Sequence, residues 1–222
     1  MQWLAEMGIR IGARIASIGN VVDKETFDPM NPQLQNVASD FPVLSENAGN
    51  DMKALIAAVR ADGDSMGGII ECAVTGLPAG LGEPMFGGVE SRIAQIIYGI
   101  PAVKSIEFGI GRTAASLLGS QCNDAFSVED GKIQTSTNHS GGILGGITNG
   151  MPLLFQVAFK PTPSIGKPQQ TVDLSSSQNI QLQIQGRHDP CIVPRAVPVV
   201  EAAAAIAIFD LILGNTQTNR RK

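Results

Sequence analysis

Hydrophobic and polar residues alternate in several short segments, a period typical of β-strands with one buried face. Residues 9–15 read IRIGARI, so the isoleucines share one face while Arg10 and Arg14 lie on the opposite, polar face. The same alternation, or a short apolar run, predicts further strands over 69–74, 103–108, 153–160 and 180–184.

A longer period of three to four residues predicts helices elsewhere in the chain. One is expected to begin at Asn50 or Asp51 and to end at Ala61, and others cover 1–7, 89–98 and 199–213. Gly214 is a typical stop signal, and the polar residues 215–222 are expected to form a disordered tail. Strands and helices mix without a regular strand–helix–strand order, which predicts a single α+β domain over 1–222.

Composition and charge exclude several classes of protein. With 16 basic and 20 acidic residues among 222, the chain lacks the broad basic surface of a general nucleic-acid binder. A hydrophobic fraction of 43% is enough to build a core, which argues against disorder. No uninterrupted apolar run approaches about 18 residues, and no basic leader precedes an apolar block at the start. The sequence therefore predicts neither a membrane span nor a secretory signal.

Cysteine and glycine usage add to this picture. Three cysteines and two histidines, without a C-x-x-C pair, make a zinc site or a disulfide framework improbable and are typical of a cytoplasmic protein. The chain also contains 25 glycines and 13 prolines but only 16% charged residues. Such a composition indicates that much of its surface contacts a ligand or other subunits.

Residues 109–114 read GIGRTA directly after a predicted strand and match the dinucleotide-binding fingerprint, with Glu129 about twenty residues further on. However, Glu129 falls in a turn, Glu129-Asp130-Gly131, rather than at the end of a strand. A glycine-rich strand exit is therefore the favoured interpretation.

Three other segments carry candidate chemistry. The glycine-rich segment 138–150, NHSGGILGGITNG, allows the backbone to approach a flat ligand closely, but it equally suits a tight packing loop in which His139 only forms hydrogen bonds. Residues 160–164, KPTPS, could hold a phosphate. In residues 186–191, GRHDPC, Arg187 and Asp189 can share a face toward a ligand, or Asp189 can form a structural ion pair with Arg195.

Together these segments resemble the chorismate synthase family. The stretch 63–86 reads GDSMGG, then GLPAGLGEP, then Phe86; the glycine-rich segment reads NHSGGILGGITNG; and 186–201 reads GRHDPCIVPRAVPVVE. All three resemble family motifs and stand in the family's order, and the likeness extends from about Met1 to Leu213.

The resemblance implies an α+β fold in which antiparallel sheets sandwich helices, assembled as a tetramer. It implies the anti-1,4-elimination of phosphate from 5-enolpyruvylshikimate 3-phosphate, with reduced FMN as cofactor and NADPH as a possible reductant. Asp189 corresponds to the carboxylate that assists removal of the ring proton. The positions corresponding to flavin contacts are Pro101, Ala102, Gly145, Lys160, Pro161, Thr162, Pro163, Ser164 and Arg187.

The chain also departs from the family pattern. The family's N-terminal third, which carries a GESHG motif, substrate-binding arginines and a catalytic histidine, has no counterpart here, and Leu118 stands where the family has arginine. Few cations remain for a substrate and a cofactor that are both anionic. The alternative is therefore a catalytically silent module that binds flavin or assembles with other polypeptides.

Overall fold

Strands and helices are interspersed along the chain. The structure, a computed structural model, describes residues 1–37, 40–186 and 188–219. The α-helices are α1 Gln2–Glu6, α2 Glu46–Ala61, α3 Val89–Ile97, α4 Gly119–Cys122 and α5 Val193–Asn219. The strands are β1 Arg10–Ile18, β2 Val21–Val22, β3 Gly68–Thr75, β4 Val103–Phe108, β5 Phe126–Glu129, β6 Lys132–Thr135, β7 Ile143–Leu144, β8 Ile147–Thr148, β9 Leu153–Phe159, β10 Gln169–Asp173 and β11 Gln178–Leu182.

Five of these strands form one antiparallel sheet in the order β2-β1-β3-β9-β4. Cys72 of β3 lies opposite Ala13 of β1 and Phe155 of β9, and Phe155 in turn lies opposite Phe108 of β4. The remaining strands form three two-stranded hairpins, β5–β6, β7–β8 and β10–β11. The predicted α+β class with antiparallel sheets is confirmed.

Helices α3 and α5 cover one face of the five-stranded sheet. The buried face of α3 carries Val89, Ile93 and Ile97, as its periodicity predicts. The buried residues of α5 include Ala204 and Ala207, whose small side chains let this helix approach α3 and β1 closely. This layer contains most of the hydrophobic core.

Helix α5 is longer than the predicted span 199–213. It begins at Val193, contains Pro198, and continues past Gly214 to Asn219, while 220–222 lie outside the described residues. Buried Val193 and Val197 anchor its first turns, so packing outweighs the hydrogen bond that Pro198 cannot donate. By length and composition alone Val193–Asn215 could cross a bilayer, but 56% of its most apolar window is buried in the protein, as in a core helix.

Helix α2 begins at Glu46, four residues before Asn50 and five before Asp51, the two predicted cap positions. Ser45 is the N-cap, and its hydroxyl accepts a hydrogen bond from the backbone N–H of Ala48. The hydrophobic stripe of α2 starts only at Met52, so periodicity located the apolar face but not the first turn.

The prediction that Arg14 lies on an exposed face of β1 is wrong. Arg14 is 1% exposed, because residues of the connection 23–45 cover the second face of the sheet with side chains such as Phe27 and Val37. For β11 the alternation of Ile180 and Leu182 with polar residues predicts one buried face. Every residue of this strand is exposed instead.

Candidate functional site

The segment 160–164 leaves the end of β9 beside the start of β4. Val103 of β4 lies opposite Phe159 of β9, and the backbone N–H of Lys160 donates to the carbonyl oxygen of Ala102 at 2.9 Å. Ala102 adopts φ +72°, a left-handed conformation uncommon for a residue with a side chain. The structure thus brings Pro101 and Ala102 next to the segment 160–164.

A turn over residues 62–67, the GDS turn, lies between two of the predicted site segments. The hydroxyl of Ser65 donates to the carbonyl oxygen of Thr162 at 2.6 Å, and the N–H of Met66 donates to the carbonyl oxygen of Pro190 at 2.8 Å. A Cβ atom at Gly67 would overlap the carbonyl oxygen of Phe159. The turn therefore contacts the phosphate-binding candidate on one side and the Asp189 segment on the other.

An ionic clamp holds the GDS turn to the chain that follows Ser164. Lys167 contacts the carboxylates of Asp62 and Asp64, the latter at 3.0 Å. Its ammonium group lowers the pKa of Asp64, and the two carboxylates raise the pKa of Lys167. A backbone bond of 2.9 Å from the N–H of Gly166 to the carbonyl oxygen of Gly63 adds to the clamp.

Asp189 lies in the wall of a cleft of about 580 Å³, lined by Arg60, His188, Asp189, Pro190 and Arg195. Its carboxylate forms an ion pair with Arg195, the pairing considered from sequence as the structural alternative. His188 Nε2 lies 3.1 Å from the carbonyl oxygen of Ile184. Arg187, the remaining predicted site residue in this segment, lies outside the described residues.

Residues 160–164 carry unused polar groups that suit an anionic ligand. Thr162 Oγ1 is buried and has no hydrogen-bond partner among the described residues, although burying a hydroxyl without one is costly. Lys160 is exposed, and Ser164 is half-buried. An ammonium group and a free hydroxyl in one proline-stiffened segment suit the phosphate group of a ligand.

The glycine-rich segment 138–150 is held in place by Asp124. This carboxylate accepts hydrogen bonds from the hydroxyl of Thr137 at 2.7 Å and from the N–H groups of His139 and Ser140 at 2.7 and 2.9 Å. Burial alone raises the pKa of Asp124, but these hydrogen bonds together outweigh it and lower the pKa below its ordinary value. His139 itself lies 3.2 Å from the carbonyl oxygen of Cys122 through Nδ1, so it acts as a hydrogen-bonding loop residue.

Gly145, another position that the resemblance implies as a flavin contact, lies in the β7–β8 hairpin. It lies exposed between β7 and β8 with φ +59°. A Cβ at Gly142 in the same segment would meet the carbonyl oxygen of Pro152, at the start of β9, whereas Lys160 follows the end of β9. A strand of seven residues spans roughly 20 Å, so Pro152, which Gly142 contacts, and Lys160 lie at opposite ends of β9.

The dinucleotide fingerprint at 109–114 is a strand exit, as favoured from sequence. Residues Gly111–Ser116 form a 3₁₀ helix, and Glu129 ends β5 of a hairpin. Gly109 has φ +56° and packs directly on the backbone of His139, which leaves no room for a side chain.

The GDS turn is the part of the site that residue-by-residue reasoning missed. Its sequence, DGDSMG, overlaps the family motif that begins at Gly63, but none of its residues is among the candidate site residues predicted from sequence. A signal was present in the sequence, since GDSMGG is part of one of the segments that resemble family motifs. Its two partners lie far along the chain, however, and no local pattern identifies them.

Comparison with known proteins places these features in one family. The family model for chorismate synthase matches residues 1–213. The chorismate synthase of Lancefieldella parvula is 44% identical over 225 residues, covering 96% of this chain and 59% of the relative. That of Methanosarcina barkeri is 45% identical over 221 residues, covering 98% and 60%.

A solved crystal structure of chorismate synthase superimposes with a TM-score of 0.79 at 30% identity, covering 96% of this chain and 60% of the other. The chain thus spans about three fifths of the length of the relatives that it matches.

Proposed function

The chain belongs to the chorismate synthase family, and we propose that it supplies part of a chorismate synthase active site. The reaction is the elimination of phosphate from 5-enolpyruvylshikimate 3-phosphate to give chorismate: one ring proton and one phosphate leave, and a new C=C bond forms. One observation carries the proposal. The segment that carries the exposed Lys160 and the buried, unpartnered hydroxyl of Thr162 is bonded through the Thr162 carbonyl oxygen to the same turn that bonds to Pro190, next to Asp189.

Each side chain then has a role that follows from its position. Lys160 and the hydroxyl of Thr162 bind the phosphate of FMN, with Ser164 beside them. Pro101 and Ala102, at the start of β4, complete this end of the cofactor site. Gly145, in the turn between β7 and β8, allows close backbone approach to the flavin ring, and a tetramer is the assembly expected for the family.

Asp189 is the group that takes the ring proton. It stands in the wall of the cleft, where Arg195 orients its carboxylate; Arg187, two residues earlier in the sequence, is proposed as a further flavin contact. Reduced FMN, when bound, supplies an electron-rich ring that assists loss of the phosphate. The cleft residues position the substrate and the carboxylate, which is how a protein contributes to cofactor chemistry.

We propose that the protein acts in the cytoplasm on a small-molecule substrate. NADPH is proposed as a possible source of electrons for the flavin. Neither a nucleic acid nor a membrane is proposed as a partner.

A second function is favoured by the charges around the cleft. Among the described residues that line it, the cations are Arg60 and Arg195, and Arg195 is already paired with Asp189. A substrate with one phosphate and two carboxylates needs more compensation than these provide. The alternative is a module that binds flavin or assembles with another polypeptide without turnover.

The test is an anaerobic assay of the purified chain with chemically reduced FMN and 5-enolpyruvylshikimate 3-phosphate. Chorismate and phosphate are expected to appear in equal amounts. Asp189→Asn should lower the rate about 100-fold or more, because it removes the proton acceptor, while FMN affinity stays within about threefold.

Asp210→Asn is the matched control, since Asp210 belongs to an exposed pair with Arg92 further along α5. FMN binding without turnover supports the module instead. Absence of FMN binding contradicts both functions, and joint loss of binding and turnover in Asp189→Asn assigns Asp189 a structural role.

A further inference from the structure

We infer that the GDS turn is a positioning element of the active site and that Ser65 couples the FMN-binding segment 160–164 to the Asp189 segment. The inference rests on the proposed function for its chemical meaning, but its structural part can be tested separately. Ser65 itself touches neither substrate nor cofactor in this scheme; it acts through the groups that it holds.

The two bonds of the turn come from adjacent residues. Ser65 bonds to the carbonyl oxygen of Thr162, the residue whose own hydroxyl is buried without a partner. The next residue, Met66, bonds through its N–H to Pro190, which directly follows Asp189. Two neighbouring residues thus fix the distance between the proposed phosphate-binding hydroxyl and the proposed proton acceptor.

Three further contacts keep the turn rigid enough for this role. Ser65 is 8% exposed, and its N–H donates to the carboxylate of Asp64 at 2.8 Å. Lys167 then ties Asp64 to the chain beyond residue 164. Gly67 allows the backbone of the turn to lie against Phe159, at the end of β9. A catalytic geometry requires such support, because small displacements of reacting groups cost large factors in rate.

The experiment compares Ser65→Ala and Ser65→Cys with the wild-type chain. FMN affinity is measured by fluorescence titration, and amide hydrogen exchange is followed over 160–166 and 188–192. Alanine removes the bond, and cysteine keeps nearly the same volume but is a weak donor. Both variants should bind FMN about tenfold more weakly, the loss expected for one buried hydrogen bond, and should exchange faster in both segments.

Ser116→Ala is the matched control, since the hydroxyl of Ser116 also donates to a threonine carbonyl oxygen, that of Thr113 at 2.8 Å, but at an exposed site. It should leave FMN affinity and exchange in the two segments unchanged. Unfolding curves are recorded for all variants, and only variants that are folded under the assay conditions are compared.

Faster exchange in only one of the two segments overturns the coupling. A cysteine variant indistinguishable from wild type overturns the role of the hydrogen bond, because packing alone then suffices. If the wild-type chain does not bind FMN, the proposed function fails, and the exchange data alone decide whether Ser65 couples the two segments.

Discussion

Arg14 lies in a buried ionic cluster on the second face of the sheet. Its Nε is 2.5 Å from Glu71 Oε2 and its Nη1 is 3.2 Å from Asp23 Oδ2, while its guanidinium group lies 5.8 Å from the ring centroid of Phe27. Asp23 also accepts backbone hydrogen bonds from Leu44 and Ser45. One buried cation therefore joins the sheet to the connection that covers it.

Replacing Arg14 with methionine should lower the free energy of unfolding by about 3–5 kcal/mol, because two buried carboxylates lose their counter-charge. Arg10→Met, in the same strand but exposed, should cost less than about 1 kcal/mol. Urea unfolding of the two variants measures the contrast, and equal losses would show that burial of the cluster is not what makes it important.

At the scale of elements, side chains from neighbouring segments position the loops around the site. The glycine-rich segment has little regular structure beyond the short strands β7 and β8. It is fixed at its start by Asp124 and by Asn138, whose amide group donates to the carbonyl oxygens of Pro29 and Pro152, each at 2.8 Å. The GDS turn likewise holds the segment 160–164 in place, through the hydrogen bond from Ser65 to Thr162.

The carboxylate of Asp124 should make stability depend on pH. Its folded-state pKa lies below the ordinary value of 3.8, so its contribution is complete at neutral pH and is lost as pH falls through 3.8 toward the folded-state pKa. Asp124→Asn should therefore lower the free energy of unfolding by about 1–3 kcal/mol at pH 7 and by progressively less below about pH 4. Asp28→Asn, at an exposed turn, is the control; a penalty that is independent of pH would contradict this role for ionised Asp124.

At the scale of the whole molecule, α5 carries an apolar surface on the side facing away from the sheet. This outer stripe comprises residues spaced three and four apart, all exposed: Val199, Ala202, Ile206, Phe209 and Leu213. Trp3 packs edge-to-face on Phe209 with ring centroids 4.8 Å apart and extends the stripe. Helix α5 is apolar both on the side that packs on the sheet and along the outer stripe. Its composition therefore resembles that of a membrane span.

The same substitution at two isoleucines of α5 should have very different effects on the free energy of unfolding. Ile206 is 60% exposed and Ile208 is 1% exposed, although only one residue separates them. Ile206→Gln should change the free energy of unfolding by less than about 0.5 kcal/mol and weaken binding of an apolar dye, since it interrupts the outer stripe. Ile208→Gln should cost about 3–5 kcal/mol by burying an unpaired amide in the core. Denaturant unfolding measures both, and equal effects would contradict the layer arrangement.

Local periodicity was enough to predict much of the fold. Residues 103–108 and 153–160 were predicted as strands and form β4 and β9 almost to the residue, because strand alternation depends only on neighbouring residues. The motifs likewise indicated the family, and the candidate residues 160–164 and Asp189 do lie on segments joined by one turn. These features depend on the order of residues along a short stretch.

Only the tertiary structure decided which polar groups are buried and which segments meet. Alternation predicted the same exposure for Arg10 and Arg14, but the connection 23–45 covers only one of them. Motif order suggested one cofactor site, yet Gly142 of the glycine-rich segment packs at the start of β9 and Lys160 follows the end of that strand. Ser65 and Thr162 are 97 residues apart in the chain and are joined by one hydrogen bond. Burial and hydrogen-bond partners depend on contacts between distant segments, and periodicity carries no information about those contacts.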